Sequence, residues 1–518
     1  MAERARFSDL FEARERFSEA ELRFERRRRT VGLVLGPLAF LVLMIVPPAG
    51  LTPAAARLTA VLAWVLIWWI TEAVPIPITA LLGPALAVLC GVGGVKEMFA
   101  SFGDPVIFLF LGSFIIAEAM SVHGLDRRIA YTILNRRWVG SSSTRILFAF
   151  VGITAGLSMW FSNTATTAMM YPIAMGVLAA LSRLLRRSDG TTPDLQRMRF
   201  GTALMLVCAY SSSIGGIGTP VGTPPNLIAL GQLVVLTGTR IPFFQWMAIA
   251  VPIMAAMLVF AVLYFRFAFP PEVGKIEGSG AFIAEEREKL GAWKPGERNV
   301  LLAFLITASL WVLPGVAGLM LGTDSPAARA LTNLLPEGVV ALLGAALLFV
   351  LPVSWRERRF TASWTDVSRI DWGTLMLFGG GLALGGAMFK TGLAEAVGHA
   401  LTGFTGARSL VALTFLFSVF AIYFTEVTSN TATATMLVPL AIAAAKAAGV
   451  SPIEPAIGCA IGCSMAFMLP VATPPNAIVY GSGCVPITKM VRAGFWFNIA
   501  ASLIVPTGVL VMCHLLGV

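Results

Sequence analysis

Long apolar runs, many of them close to the ~20 residues a helix needs to cross a bilayer, alternate along this chain with short charged segments. The pattern predicts helices near 31–47, 52–70, 73–95 and 104–122, then an apolar segment at 146–180 interrupted by Ser-Asn-Thr at 162–164. Further spans follow near 200–236 and 243–265, and after a polar stretch at 266–298 the pattern resumes at 299–321, 338–353 and 372–392. A second interrupted segment fills 409–445, with Ser-Asn-Thr at 429–431, and spans near 453–480 and 493–516 complete the chain. With both interrupted segments entering and leaving on one side as re-entrant hairpins, the chain makes eleven crossings. The period-two alternation of a β-barrel is absent.

Composition agrees with that pattern. The 518 residues are 57% hydrophobic and 13% charged, with a mean hydropathy of +0.80, whereas a soluble domain carries about 25% charged residues. The expected fold class is therefore an all-α polytopic membrane protein. A net charge of +10 would suit nucleic acid, but its distribution argues against that partner: 31 of the 38 Lys and Arg fall in 1–30, 123–145, 181–199, 266–298, 354–371 and 481–492. Basic residues concentrate on the cytoplasmic side, so the N-terminus is expected inside and the C-terminus outside. The arm at 1–30 ends in FERRRRT, and with Phe7, Leu10, Phe11 and Phe17 it reads equally as a membrane-surface helix or a tail. It is not a secretory leader, because thirty largely polar residues precede the first apolar run. The six Cys sit in apolar surroundings and read as packing residues. His123, His399 and His514 stand apart, and no catalytic or metal-binding motif is visible, so neither an enzyme nor a cofactor is expected.

The chain also repeats itself. SNTATTAMMYPI at 162–173 returns as SNTATATMLVPL at 429–440, an offset of 267 that also carries Asp104 onto Asp371, Gly112 onto Gly379 and Pro172 onto Pro439. TPPN at 223–226 returns at 473–476, offset by 250; the difference of 17 matches the basic loop 183–199, which the second half lacks. The expected organisation is a cytoplasmic arm at 1–30, a first helix at 31–50, one repeat at 51–267, a cytoplasmic linker at 268–298 and a second repeat at 299–518. Each repeat has a hairpin (146–180, 409–445) and a broken helix (around 219–226 and 469–476). Five crossings per repeat make the halves inverted, the signature of a secondary transporter with its site where the repeats meet.

The polar motifs suit such a site. Backbone exposed at a hairpin tip within the membrane needs partners that lipid cannot provide, and Ser, Asn and Thr side chains provide them or bind a ligand there. The two prolines of TPPN break a helix. Half-helix N-termini then face the gap with N–H groups and partial positive charge for an anion, while C-terminal carbonyls suit a small cation such as sodium. No charged residue lies between Arg145 and Arg183 or between Arg199 and Arg240, and the second-half equivalents hold only Glu426 and Glu454. A bound anion would thus need a co-bound cation for neutralisation, which would couple the two. Glu426 reads either as a structural acceptor or as part of cation or proton coupling.

At these residues the chain resembles the divalent anion/sodium symporter family, over about residues 30–518 and through the doubled SNT and TPPN motifs. The resemblance implies a homodimer in which a transport domain slides as an elevator against a scaffold, with sodium as coupling ion. It implies one substrate carboxylate on Ser162, Asn163, Thr164 and Thr223, and the other on Ser429, Asn430, Thr431 and Thr473. It implies one sodium among Ser158, Ser162, Asn163 and the backbone of Gly222, and a second among Thr425, Ser429, Asn430 and the backbone of Ala472. Four-carbon dicarboxylates such as succinate, malate or fumarate are the expected substrates, with citrate next and sulfate behind it. A sodium-independent exchanger of the same fold is the main rival; a membrane-embedded enzyme and a passive channel are remote ones.

Overall fold

The computed structural model describes residues 19–185, 198–276, 278–322 and 325–518. The expectation of a surface helix around Phe7 to Phe17 and most of the basic loop 183–199 lie outside them.

Apolar runs bounded by prolines and caps become helices. α1 (Glu19–Ile45) is followed by α2 (Pro53–Thr71), capped by Thr52, and by the short α3 (Ile76–Leu89). The expected arm 1–30 thus overlaps the first helix: the Arg26–Arg29 run is helical, and Arg28 and Arg29 pair with Glu25 and with Glu72 at the end of α2. After α4 (Val95–Ala100), Asp104 caps α5 (Pro105–His123). Then come α6 (Leu125–Leu134), α7 (Ser143–Ser158), α8 (Asn163–Leu184), α9 (Arg199–Gly216), α10 (Pro224–Thr237) and α11 (Phe243–Ala268). The expected linker is not bare: it holds α12 (Ser279–Lys289), and Lys275 bridges to Ser142.

The second half runs through α13 (Pro295–Leu321), α14 (Pro326–Leu334) and α15 (Glu337–Val350) to a two-stranded hairpin, β1 (Pro352–Ser354) and β2 (Arg359–Phe360). It continues with α16 (Trp364–Val367), α17 (Trp372–Lys390), α18 (Leu393–Thr405), α19 (Leu410–Phe424) and α20 (Asn430–Ala447). The last three helices are α21 (Ile453–Cys463), α22 (Pro474–Gly481) and α23 (Ile487–Leu516).

Among the described residues, eight helices are long and apolar enough to span a membrane, and two further pairs, α14 with α15 and α18 with α19, meet that test together across bends of 52° and 94°. The expected eleven crossings include spans built here from half-helices, α9 with α10 and α21 with α22, of which α10, α21 and α22 each fall short of the length of a span. The protein is an integral membrane protein, nearly all helical.

The halves interlock. α5 of the first half packs on α15 of the second, and α17 of the second packs on α3 of the first. Glycine permits both approaches: a Cβ at Gly112 would overlap the Ala341 backbone, and one at Gly380 would overlap the Ala80 backbone. Gly379, the offset mate of Gly112, lies against Phe102 instead. Likewise α10 packs on α20, and α22 on α8. Each contact returns when the halves are exchanged.

Candidate functional site

Both Ser-Asn-Thr motifs stand where a helix restarts. α7 ends at Ser158 and α8 begins at Asn163, with Ser162 as its cap, its Oγ accepting from Ala165 N–H at 3.2 Å. α19 ends at Phe424 and α20 begins at Asn430, with Ser429 at the cap. No acidic side chain lies in the first turn of α8 or α20, so the partial positive charge of each N-terminus is left for a ligand. Ser162 is exposed, and Asn163, Thr164, Ser429, Asn430 and Thr431 are half-buried.

Behind each tip sits the same pair. Ser158, fully buried, donates from Oγ to Asn163 Oδ1 at 2.8 Å; Thr425, also fully buried, donates from Oγ1 to Asn430 Oδ1 at 2.7 Å. Thr425 Oγ1 also lies 2.9 Å from the Cys463 carbonyl, so its single proton serves two acceptors and the cluster keeps spare lone pairs. In the first half the carbonyls do the same. A Cβ at Gly222 would overlap the Gly216 carbonyl oxygen and sit 2.9 and 3.0 Å from those of Met159 and Ser158, while one at Gly216 would overlap Asn163 Oδ1. Oxygens converge here, and even the carbonyls of Gly216 and Met159, which accept from Asn226 and Thr219, keep a second lone pair that a hard cation could use.

The breaks are stitched by the asparagine that closes each TPPN, a role the sequence reading missed although the residue lay inside the motif. Asn226 donates from Nδ2 to the carbonyls of Gly216 (3.0 Å) and Thr219 (2.8 Å). Asn476 donates to those of Ala466 (3.2 Å) and Leu469 (3.0 Å), the same partners shifted by 250. In the first half the amide thus ties the unwound segment to the C-terminal end of α9 at Gly216, whereas in the second half both carbonyls lie in the unwound stretch beyond Cys463, the end of α21. Buried Thr473 accepts at Oγ1 from Asn476 N–H at 3.3 Å. The hydroxyls of Thr164, Thr223 and Thr431 are uncommitted among the described residues, and buried Ala472 sits in the loop with its N–H on the Leu469 carbonyl.

Glu426 adds an asymmetry. Its carboxylate accepts from the N–H groups of Phe467 (2.7 Å), Met468 (3.0 Å) and Leu469 (3.3 Å) and from Asn498 Nδ2 (2.8 Å). It anchors the second unwound loop to α19 and α23, in line with the structural alternative. The position 267 residues earlier is Met159, whose carbonyl receives the Thr219 hydroxyl.

The candidate residues therefore form two constellations. One joins Ser158 and Asn163 with Gly222, with Ser162 at the helix cap beside Asn163; the other joins Thr425 and Asn430, with Ser429 at the cap. Each hairpin helix lies on the post-break half-helix of the opposite half.

A family model described as the sodium:sulfate symporter transmembrane region matches residues 27–517. The chain is 37% identical over 478 residues, 92% of its length and 89% of the relative's, to the sodium-dependent dicarboxylate transporter SdcS of Staphylococcus saprophyticus. It is 35% identical, with the same coverage, to the protein of that name from Staphylococcus aureus. Among solved structures it resembles the YdaH transporter of Alcanivorax borkumensis, with a TM-score of 0.53 at 15% identity, covering 84% of this chain and 89% of that one. MtrF of Neisseria gonorrhoeae follows with a TM-score of 0.51 at 15% identity, covering 82% and 84%. At that identity the structural likeness speaks for the fold alone.

Proposed function

Since the chain belongs to the divalent anion/sodium symporter family, we propose that it imports four-carbon dicarboxylates such as succinate, malate and fumarate together with sodium, across the bacterial inner membrane. It is a transporter, not an enzyme. The observation that carries the reading is the doubled constellation of helix N-terminus beside a cluster of buried oxygens. The relatives named as sodium-dependent dicarboxylate transporters support the substrate class.

In this reading one carboxylate takes the hydroxyls and amides of Ser162, Asn163, Thr164 and Thr223, and the other those of Ser429, Asn430, Thr431 and Thr473. Sodium sits at Ser158, Ser162, Asn163 and the Gly222 carbonyl, and at Thr425, Ser429, Asn430 and the Ala472 carbonyl. The hairpins, broken helices and tips lack any Lys or Arg near the motifs, so the ions neutralise the dianion and each ligand tightens the other's binding by the same factor. Interlocked halves that exchange their contacts suit inverted repeats at 51–267 and 299–518, with the N-terminus inside and the C-terminus outside. The hairpins and broken helices would move together as the transport body of an elevator, in a homodimer.

Uptake of labelled succinate into proteoliposomes tests this. Accumulation driven by an inward sodium gradient is expected, and Asn163→Ala or Asn430→Ala should each abolish it in a protein that still elutes and melts as folded. Uptake only against preloaded succinate, without need of sodium, would make the protein an exchanger and leave Ser158 and Thr425 as structural groups. Wild-type uptake by either Asn variant would remove the site assignment.

A further inference from the structure

We propose that the β1–β2 hairpin is a membrane anchor that sits in the headgroup layer and selects anionic phospholipid. The hairpin begins two residues after α15 and its last strand ends a dozen residues before α17, so its tip cannot lie far from the membrane face. A headgroup region is only about 5–8 Å deep on each side.

The base is fixed and the tip is bare. Thr361 and Ala362 are 3% and 7% exposed. Thr361 N–H bonds the Leu351 carbonyl at 3.0 Å, and Ala362 N–H bonds that of Leu348 at 3.1 Å. Asn299 on α13 donates to the Pro352 carbonyl (3.0 Å) and the Thr361 hydroxyl (2.9 Å), while His123 at the end of α5 reaches the Thr361 carbonyl at 2.7 Å. Three scaffold helices thus hold the hairpin in one pose.

Trp355 at the turn is 74% exposed, its ring in a T-shaped pair with Phe360 at 6.3 Å, and Trp364 just beyond is 73% exposed. Arg356, Arg358 and Arg359 are exposed and make no ion pair among the described residues. A large apolar ring left in water is unfavourable; at a headgroup boundary both faces of Trp find a partner. Three unpaired guanidiniums flanking it match phosphate oxygens in charge and geometry. The equivalent connection of the first half, between α3 and α5, carries only Lys96 and no Trp, so the feature belongs to one half.

The full chain with Cys90→Ser and Glu357→Cys, labelled at the tip with an environment-sensitive fluorophore, tests this in nanodiscs. The discs contain phosphatidylcholine alone or with phosphatidylglycerol, each with a headgroup-spin-labelled quencher lipid. A blue-shifted, strongly quenched tip is expected with phosphatidylglycerol and a weaker effect without it. Each Arg replaced by Gln should reduce the preference about fivefold, with the melting temperature reporting that the variants fold. A tip unquenched in both membranes overturns the anchor, and equal quenching in both overturns the anionic selectivity. Energy transfer between tips in discs holding two protomers would make a second copy the occupant instead.

Discussion

At the scale of single residues, the two ion-site candidates are not twins. Gly216 and Gly222 of the first half correspond to Ala466 and Ala472 of the second, and the first site is so tight that a Cβ at Gly222 would overlap the Gly216 carbonyl and one at Gly216 would overlap Asn163 Oδ1. Gly222→Ala should therefore abolish uptake, whereas Ala472→Gly, which only removes an atom, should retain most of it. Comparing the two in the succinate assay checks the asymmetry. Asp126 is a second residue with a definite consequence. It is 9% exposed at the start of α6, and burial pushes its carboxyl up to about 6, against the lowering effect of the Arg127 N–H and guanidinium. Because this acid is raised rather than depressed, the folded state holds its proton longer than the unfolded chain, and stability falls as pH rises from about 4 to 6. Asp126→Asn should flatten that part of the melting-temperature profile and, above pH 6, gain up to about 3 kcal/mol.

At the scale of elements, the spans and both helix breaks could be read from hydropathy and motif, since prolines, caps and apolar runs act locally. The short helices could not. α6 and α18 lie between spans, and their mixture of charged and apolar positions resembles a loop until a tertiary partner is known. Arg128 shows why: buried on α6, it donates to the carbonyls of Leu290, Gly291 and Ala292, lies over the Trp293 ring and stands 3.0 Å from Glu297. Its Nε faces that carboxylate at an angle unsuited to a hydrogen bond, so the pairing is mainly electrostatic. One side chain, 162 residues away in sequence from its first partner, orders the polar stretch that composition presents as a linker. Arg128→Met leaves the buried Glu297 unpaired and should destabilise the protein by about 3–5 kcal/mol. Arg128→Met with Glu297→Met should recover much of that loss, measured as the midpoint of thermal unfolding in detergent. The candidate ligands were visible as repeated residue types; the stitching by Asn226 and Asn476 was not, because sequence does not say which carbonyls an amide will reach.

At the scale of the whole molecule, the exchange of contacts between halves ties the two constellations to one body. α10 on α20 and α22 on α8 cross from one half to the other, and under the proposed site assignment these packed helices would carry the ordering of one constellation to the other. Sodium alone, before any dicarboxylate, should then raise the melting temperature, since a ligand that binds only the folded state stabilises it by mass action; succinate should add a shift only when sodium is present. A shift with succinate and none with sodium would favour the exchanger. Glu426 gives this body an electrical character of its own. Its carboxylate is built into the second loop by four donors and has no Lys or Arg among them. If that loop travels with the hairpins and the carboxylate stays ionised, the empty carrier brings a negative charge back across the field, at about 2.3 kcal/mol per 100 mV for a full traverse. The membrane potential would then act on the unloaded half of the cycle as well as on the loaded one, and Glu426→Gln would change the current's voltage sensitivity even where the ion count stays the same.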